Sequence, residues 1–171
     1  LDAESLRDSV LALSGTLDRK MYGPGFYLFA LRKTTHSPHY EYHLHDPMDP
    51  LSHRRSVYRF IVRSQPDPFM TTLDCADSSQ STPKRIETIT ALQALSLMNN
   101  KFNLAMAKSF AERVSKEASG LEKQAARAYR LATGRKPDDA RLASLVGYAA
   151  EHGLVNLCRL ILNLNEFIYV D

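Results

Sequence analysis

The 171-residue chain has only two cysteines, Cys75 and Cys158, and no C-x-x-C pair. That excludes a zinc ribbon and a c-type haem attachment within this segment. The two thiols read either as buried free cysteines, which behave as small hydrophobes, or as one disulfide closing a loop of more than eighty residues. Such a bridge adds about 4 kcal/mol in an oxidising compartment; free thiols are the favoured expectation. No apolar run approaches the roughly 20 residues of a membrane-spanning helix, so no span is expected. Charge of either sign is also scarce in excess, the net being +3. Without a concentrated basic face, that argues against nucleic acid as a partner. There is no initiator Met and no basic leader in Leu1-Asp2-Ala3-Glu4-Ser5. The chain therefore reads as a piece of something longer, with room for an export signal upstream.

The familiar catalytic signatures are missing as well. There is no G-x-S-x-G elbow and no Walker or G-x-G-x-x-G loop. Asp46-Pro47-Met48-Asp49-Pro50 lacks EF-hand ligand spacing. Cys75 sits in "LDCADSSQ" with no adjacent cation to activate it, and Asp74 and Asp77 are expected, if anything, to raise its pKa.

What is present is a composition of 44% hydrophobic and 24% charged residues, ordinary for a globular domain. Asp2 is a good N-cap, and Leu6, Val10, Leu13 and Leu17 follow helical spacing, with Gly15 available to end the helix. Residues 27–31 are a short apolar run that suits a strand. Residues 32–53 are polar, Pro-containing and extended or looped. The segment "RRSVYRFIVR", 54–63, fits both periods, and its aromatic and β-branched content favours a strand. Residues 64–88 form a long connection rich in Pro, Ser, Thr and Asp, of the kind that wraps a surface or carries function. Beyond it the chain turns helical. A capping box at Thr90–Gln93 opens the first helix, and Asn99-Asn100 ends it. Further helices are expected at about 101–118 (Leu104, Ala107, Ala111 and Val114 inward), 121–133, from Pro137-Asp138 to Gly153, and from Leu154 onward.

Three constellations could carry chemistry. The first is "HSPHYEYHLH", 36–45, with four of the six histidines. In extended backbone Glu41, His43 and His45 share a face, a donor set suited to Zn, Cu, Ni or Fe(II). The alternative is solvated loop histidines, and no metal is expected. The second is Arg54, Arg55, Arg59 and Arg63 interleaved with Tyr58 and Phe60. These could track a polyanion or, as expected here, pin the loops by ion pairs to Asp46, Asp49, Asp67 and Asp74. The third is the loop set His45, Asp46, Arg54, Arg55 and Asp74, the weak candidates for catalysis. Near the C-terminus, Asn163, Asn165 and Glu166 suit hydrogen bonding around a helix end.

Four ordered blocks carry a resemblance: "LDAESLRDSVLALSGTLDRKMYGPGF", "RRSVYRFIVRSQPDPFMTTLDCADSSQSTPKR", "TITALQALSLMNN" and "LCRLILNLNEFIYVD". Together they resemble the C-terminal uncharacterised domain of planctomycete secreted cytochrome c-associated multi-domain proteins, over essentially all of 1–171. The resemblance implies an exported, cell-envelope setting and upstream modules of the same chain. Any haem would sit on such a module, with no cofactor in this segment. It brings no catalytic residues, and its acidic, Pro-containing counterpart of 36–50 differs from the histidines here.

The expectation is one domain, 1–171, of α+β, mostly α class: an antiparallel helical bundle at 89–171 packed with a loop-rich, short-stranded half at 1–88. Its expected role is non-catalytic interaction or scaffolding within a secreted multi-domain protein. Its partners would be upstream domains, extracellular polysaccharide or another envelope protein. The rival is a hydrolase or redox-linked enzyme acting on extracellular polysaccharide, with its site in loops 36–88.

Overall fold

A computed structural model describes residues 1–35, 37–85 and 88–169. Helix α1 spans Ala3–Ser14. Asp2 caps it by accepting from the Ser5 amide at 2.7 Å. Gly15 closes it in the left-handed region at φ +79°, where a side chain would be strained. Leu6, Val10, Leu11 and Leu13 are buried along this helix; Leu17 lies beyond its end and is partly buried.

The C-terminal half is helical, and glycine or asparagine marks most of its joints. Helix α2 is short, Pro68–Thr72. Helix α3 spans Ala91–Asn99 with the Thr90/Gln93 capping box formed. Asn100 ends α3 and caps α4, Lys101–Glu117, by accepting from the Phe102 amide at 2.8 Å. Then follow α5 (Leu121–Thr133), α6 (Asp139–His152), α7 (Leu154–Ile161) and α8 (Asn165–Ile168). Helix α4 packs against α1, α5 and α7, so it is the post around which both halves gather. Met106, Phe110 and Val114 of α4 are fully buried with Leu11 of α1 and Leu157 and Ile161 of α7, each large side chain contributing about 1.5–3 kcal/mol. Ala125 and Ala128 let α5 approach closely.

Helices and a small sheet make this a mostly-α α+β fold, as expected. Three local expectations fail in whole or in part; the strand suited to 27–31 begins only at Ala30 and runs on to Arg32. Leu104 is 41% exposed. Asn103 takes the interior position instead and donates to the Leu97 carbonyl at 2.8 Å, stitching α3 to α4. The strand expected at 54–63 is absent. Residues Ser56–Tyr58 form a 3₁₀ turn, flanked by single bridges from Asp18 to Arg54 and from Phe26 to Arg59. Asp8 on α1 explains the break. Its carboxylate accepts from the Ser56 amide at 2.8 Å and the Ser56 hydroxyl at 2.7 Å, pulling the chain off a strand path.

The one sheet among the described residues pairs β1 (Ala30–Arg32) antiparallel with β2 (His39–Glu41), Leu31 opposite Tyr40. Beside it Phe29 is buried among Tyr27, Tyr40, Tyr42 and Phe60, with ring centroids 5.0–6.2 Å away. No helix among the described residues is long and apolar enough to cross a membrane.

Candidate functional site

A cavity of about 300 Å³ opens where α1, the 42–52 loop, α2 and the start of α4 meet. Leu28, Pro47, Pro68, Phe69 and Phe102 supply apolar walls; Arg7, Tyr42, His45, Asp67, Asn100 and Lys101 supply polar ones. The Phe69 and Phe102 rings lie 6.0 Å apart.

Arg7 anchors the cavity. It lies on the buried face of α1, 3% exposed, and its guanidinium sits between the rings of Phe26 and Phe102, at 5.1 and 5.4 Å. It donates to the carbonyls of Ser52 and Arg54 and to the Ser56 hydroxyl, with Asp8 at 3.6 Å. Loss of water lowers its pKa to about 10. Asp67 caps α2 by accepting from the Phe69 amide at 2.9 Å. Burial pushes its carboxyl above the usual range, against the pull of the Arg59 charge. His45 is half-buried, and burial lowers its pKa against the opposing Asp49 carboxylate. Its Nε2 is shut from solvent and has no partner among the described residues. Burial likewise raises Tyr42, whose hydroxyl donates to the Gln65 carbonyl at 2.8 Å.

Of the five residues singled out from sequence for catalysis, only His45 lines this cavity. Asp46 closes a turn, accepting from the Met48 amide at 2.9 Å. Arg54 donates to the carbonyls of Lys20, Tyr22 and Pro24 and stacks 4.0 Å from the Tyr58 ring centroid. Arg55 reaches the Met21 sulfur at 3.1 Å. Asp74, at φ +59°, accepts from the Thr88 amide and hydroxyl, both at 2.7 Å, and from Gln93 at 2.9 Å, tying the long loop to the cap of α3.

The histidine segment is a strand over His39–Glu41 and then enters a 3₁₀ turn, Tyr42–Leu44. The shared-face geometry expected for Glu41, His43 and His45 is therefore lost. Glu41 and His43 approach to 3.4 Å, but among the described residues no group of three or more His, Cys, Asp and Glu is arranged to hold a metal ion. His36 lies outside the described residues. His53 is buried, its Nε2 2.9 Å from the Pro47 carbonyl.

The arginine set does pin loops, but not through carboxylates. None of Arg54, Arg55, Arg59 and Arg63 makes a salt bridge among the described residues. Arg63 donates to the carbonyls of Ser78 and Ser79, and Arg59 to the Cys75 sulfur. Loop carbonyls without a ladder partner need donors, and a guanidinium fork reaches two or three at once. Cys75 and Cys158 are free thiols. Burial and then Glu4, rather than Asp74 or Asp77, raise Cys75; burial alone pushes Cys158 up to about 12. Asn163 donates to the Arg159 carbonyl at 2.9 Å, and Glu166 pairs with Arg141 at 3.0 Å.

Sequence reasoning missed Arg7, Tyr42, Asp67 and Lys101. Two of them left a signal. Arg7 falls three and four residues before Val10 and Leu11, inside an apolar stripe, and Asp67 precedes Pro68 as an N-cap would.

Fold and site together define a mostly-α α+β domain with a small mixed-polarity cavity and a frame of arginine–carbonyl bonds. The family model that matches is PSD1, described as "Protein of unknown function (DUF1553)", over residues 1–149. The match takes in most of the chain, which belongs to this family. It ends inside α6, so the block "LCRLILNLNEFIYVD" lies beyond it. Neither a curated protein nor a solved structure matches the chain.

Proposed function

We propose that this domain is a non-catalytic interaction module of a secreted planctomycete cell-envelope protein, and that it docks an upstream module of the same chain. One observation carries this: an apolar strip left uncovered by the described residues. Ile89, Leu92 and Leu95 are 82%, 63% and 61% exposed on one side of α3 and its entry. A residue just ahead of a helix cap usually packs back onto the first turns; Ile89 does not. A contiguous exposed apolar patch of this kind marks an interaction surface. The adjoining groove is lined by Leu1, Ile89, Ile168 and Tyr169 together with Asp2, Asp74, Arg85, Thr88 and Gln93, and the Leu1 nitrogen lies 2.9 Å from the Ile168 carbonyl oxygen. A module joined ahead of Leu1 would be tethered beside the strip. Haem chemistry, if the longer protein has any, would belong to that module.

Covering Leu92 and Leu95 would contribute about 2–3 kcal/mol. The test mixes upstream modules with this domain as separate polypeptides and measures binding by calorimetry. Saturable binding, weakened at least thirtyfold by Leu92→Asp with Leu95→Asp, is expected. Absence of binding, or binding indifferent to the double change, refutes the proposal.

The second reading is a hydrolase or redox-linked enzyme acting on extracellular polysaccharide, with its site in loops 36–88. The specific observation in its favour is the cavity, where His45 and Asp67 carry oppositely directed pKa shifts in one lining. Turnover of a polysaccharide by the full chain, abolished by His45→Ala, would favour it. So would stoichiometric metal lost on His43→Ala with His45→Ala.

A further inference from the structure

The cavity has a chemistry of its own that docking on α3 leaves unused, and the strip contributes no residue to it. Charge narrows what can enter. Asp67 is buried, with no cation within salt-bridge distance among the described residues, and repels an anion. Arg7 in the lining and Lys101 beside it repel a cation. Arg7 offers an anion little in return, because its fork is already engaged by the Ser52 and Arg54 carbonyls and the Ser56 hydroxyl.

Hydrogen-bonding capacity narrows it further. Asp67 Oδ1 accepts from the Phe69 amide, which leaves the carboxylate with acceptor capacity for a hydroxyl. Asn100 uses its Oδ1 on the Phe102 amide, leaving its amide N–H groups to donate. His45 Nε2 has no partner among the described residues, and a turn of the neutral ring would give it one on an entering oxygen. Between these polar groups stand Phe69, Phe102 and Leu28, which suit a C–H surface. A hydroxyl both donates and accepts, so a molecule with several hydroxyls on an otherwise apolar ring fits every wall. The volume lies at the lower edge of the about 300–1,000 Å³ that ligand pockets span, which suits one ring and not an extended chain.

We propose that this cavity binds one small neutral polyhydroxylated molecule, a single sugar ring or cyclic polyol, with hydroxyls on Asp67 and Asn100 and a C–H face against Phe69 and Phe102. The proposal does not depend on docking at α3, and either can fail alone.

Titrating the 171-residue chain with myo-inositol, D-glucose and D-xylose, and with D-glucuronate and D-glucosamine as charged counterparts, tests it. Histidine-ring NMR is the readout. At least one neutral probe should shift the His45 ring saturably while leaving His152, on α6, unmoved. Its charged counterparts should bind at least tenfold more weakly. Leu28→Trp, which fills the cavity, should abolish the shift, and Asp67→Asn, which keeps a capping side chain, should weaken it at least threefold. No saturable shift at His45 with any neutral probe, equal binding of the charged probes, or equal movement of His152 would each overturn the assignment. If Leu28→Trp melts the fold, the His45-against-His152 contrast in the native chain decides alone.

Discussion

Replacing Arg7 by Met removes the charge at the junction of α1, the 52–56 turn and the cavity while keeping an unbranched side chain. Two carbonyls, of Ser52 and Arg54, and the Ser56 hydroxyl lose their donor. Orphaned buried acceptors cost about 1–3 kcal/mol each, so the carbonyls alone account for about 4 kcal/mol. Loss of the stacking on Phe26 and Phe102 adds about 1 kcal/mol, because a thioether recovers part of a cation–π contact. Against this stands the cost of holding the cation away from water. Its pKa falls from 12.5 to about 10, which corresponds to about 3 kcal/mol at 1.36 kcal/mol per unit. Since the folded-state pKa lies below the unfolded one, that cost is fully present below about pH 10 and is relieved only as pH rises from there toward 12.5. It is therefore constant across the neutral range. The difference leaves Arg7→Met less stable by about 2 kcal/mol, a fall in Tm of about 4–8 °C for a chain of this size. Arg7→Lys should be worse, by about 3–4 kcal/mol, because one ammonium keeps the desolvation cost but cannot span both carbonyls. Urea unfolding at pH 7 measures all three. A Met variant as stable as the native chain, or a Lys variant more stable than the Met one, would refute the reasoning.

Asp67→Asn should be stabilising at pH 7 and neutral near pH 3. Burial raises the native carboxyl above 3.8, so the folded state holds its proton longer and native stability declines as pH rises through that window; matched urea titrations at the two pH values check it. Gly25→Ala should cost about 1–3 kcal/mol, because an added Cβ would meet the Tyr58 carbonyl oxygen at 2.8 Å and force apart the bridge between Phe26 and Arg59. Thermal unfolding followed by circular dichroism reads that loss. Iodoacetamide at pH 8 should label Cys75 slowly and Cys158 only after unfolding, since the first is half-buried and the second buried with a pKa of about 12. Intact mass should not change on reduction; a gain of two protons would contradict free thiols.

Helix α1 and much of the helical half were legible because their signals are local. Asp2, Gly15, the Thr90–Gln93 box, Asn100, Asp138 and Gly153 each act within one turn of themselves, and helix ends fell where they predicted. The first half was less legible because its shape is set by distant partners. The 54–63 segment has strand chemistry, yet Asp8, nearly fifty positions earlier, holds Ser56 in a turn. The cavity was legible only at His43 and His45, which both line it. Arg7, Asp67, Asn100 and Lys101 come from α1, the α2 cap and the start of α4, and no spacing in one segment shows that these converge. The arginines illustrate the same limit: their number near 54–63 announced that they pin loops, but composition cannot tell a carboxylate partner from a peptide carbonyl.

That last distinction sets how the molecule meets acid. A guanidinium and a peptide carbonyl both keep their charge state from strongly acidic to mildly alkaline water. The Arg7, Arg54 and Arg63 bonds therefore form a seam that protons cannot unfasten. The links of Glu117 to Arg113 and Arg127, and of Glu166 to Arg141, run through carboxylates and weaken once those are protonated. The holds of Asp8 on Ser56, of Asp74 on Thr88 and of Glu4 on Arg85 also run through carboxylates, so in acid the arginine–carbonyl bonds are the loop ties that keep both partners unchanged.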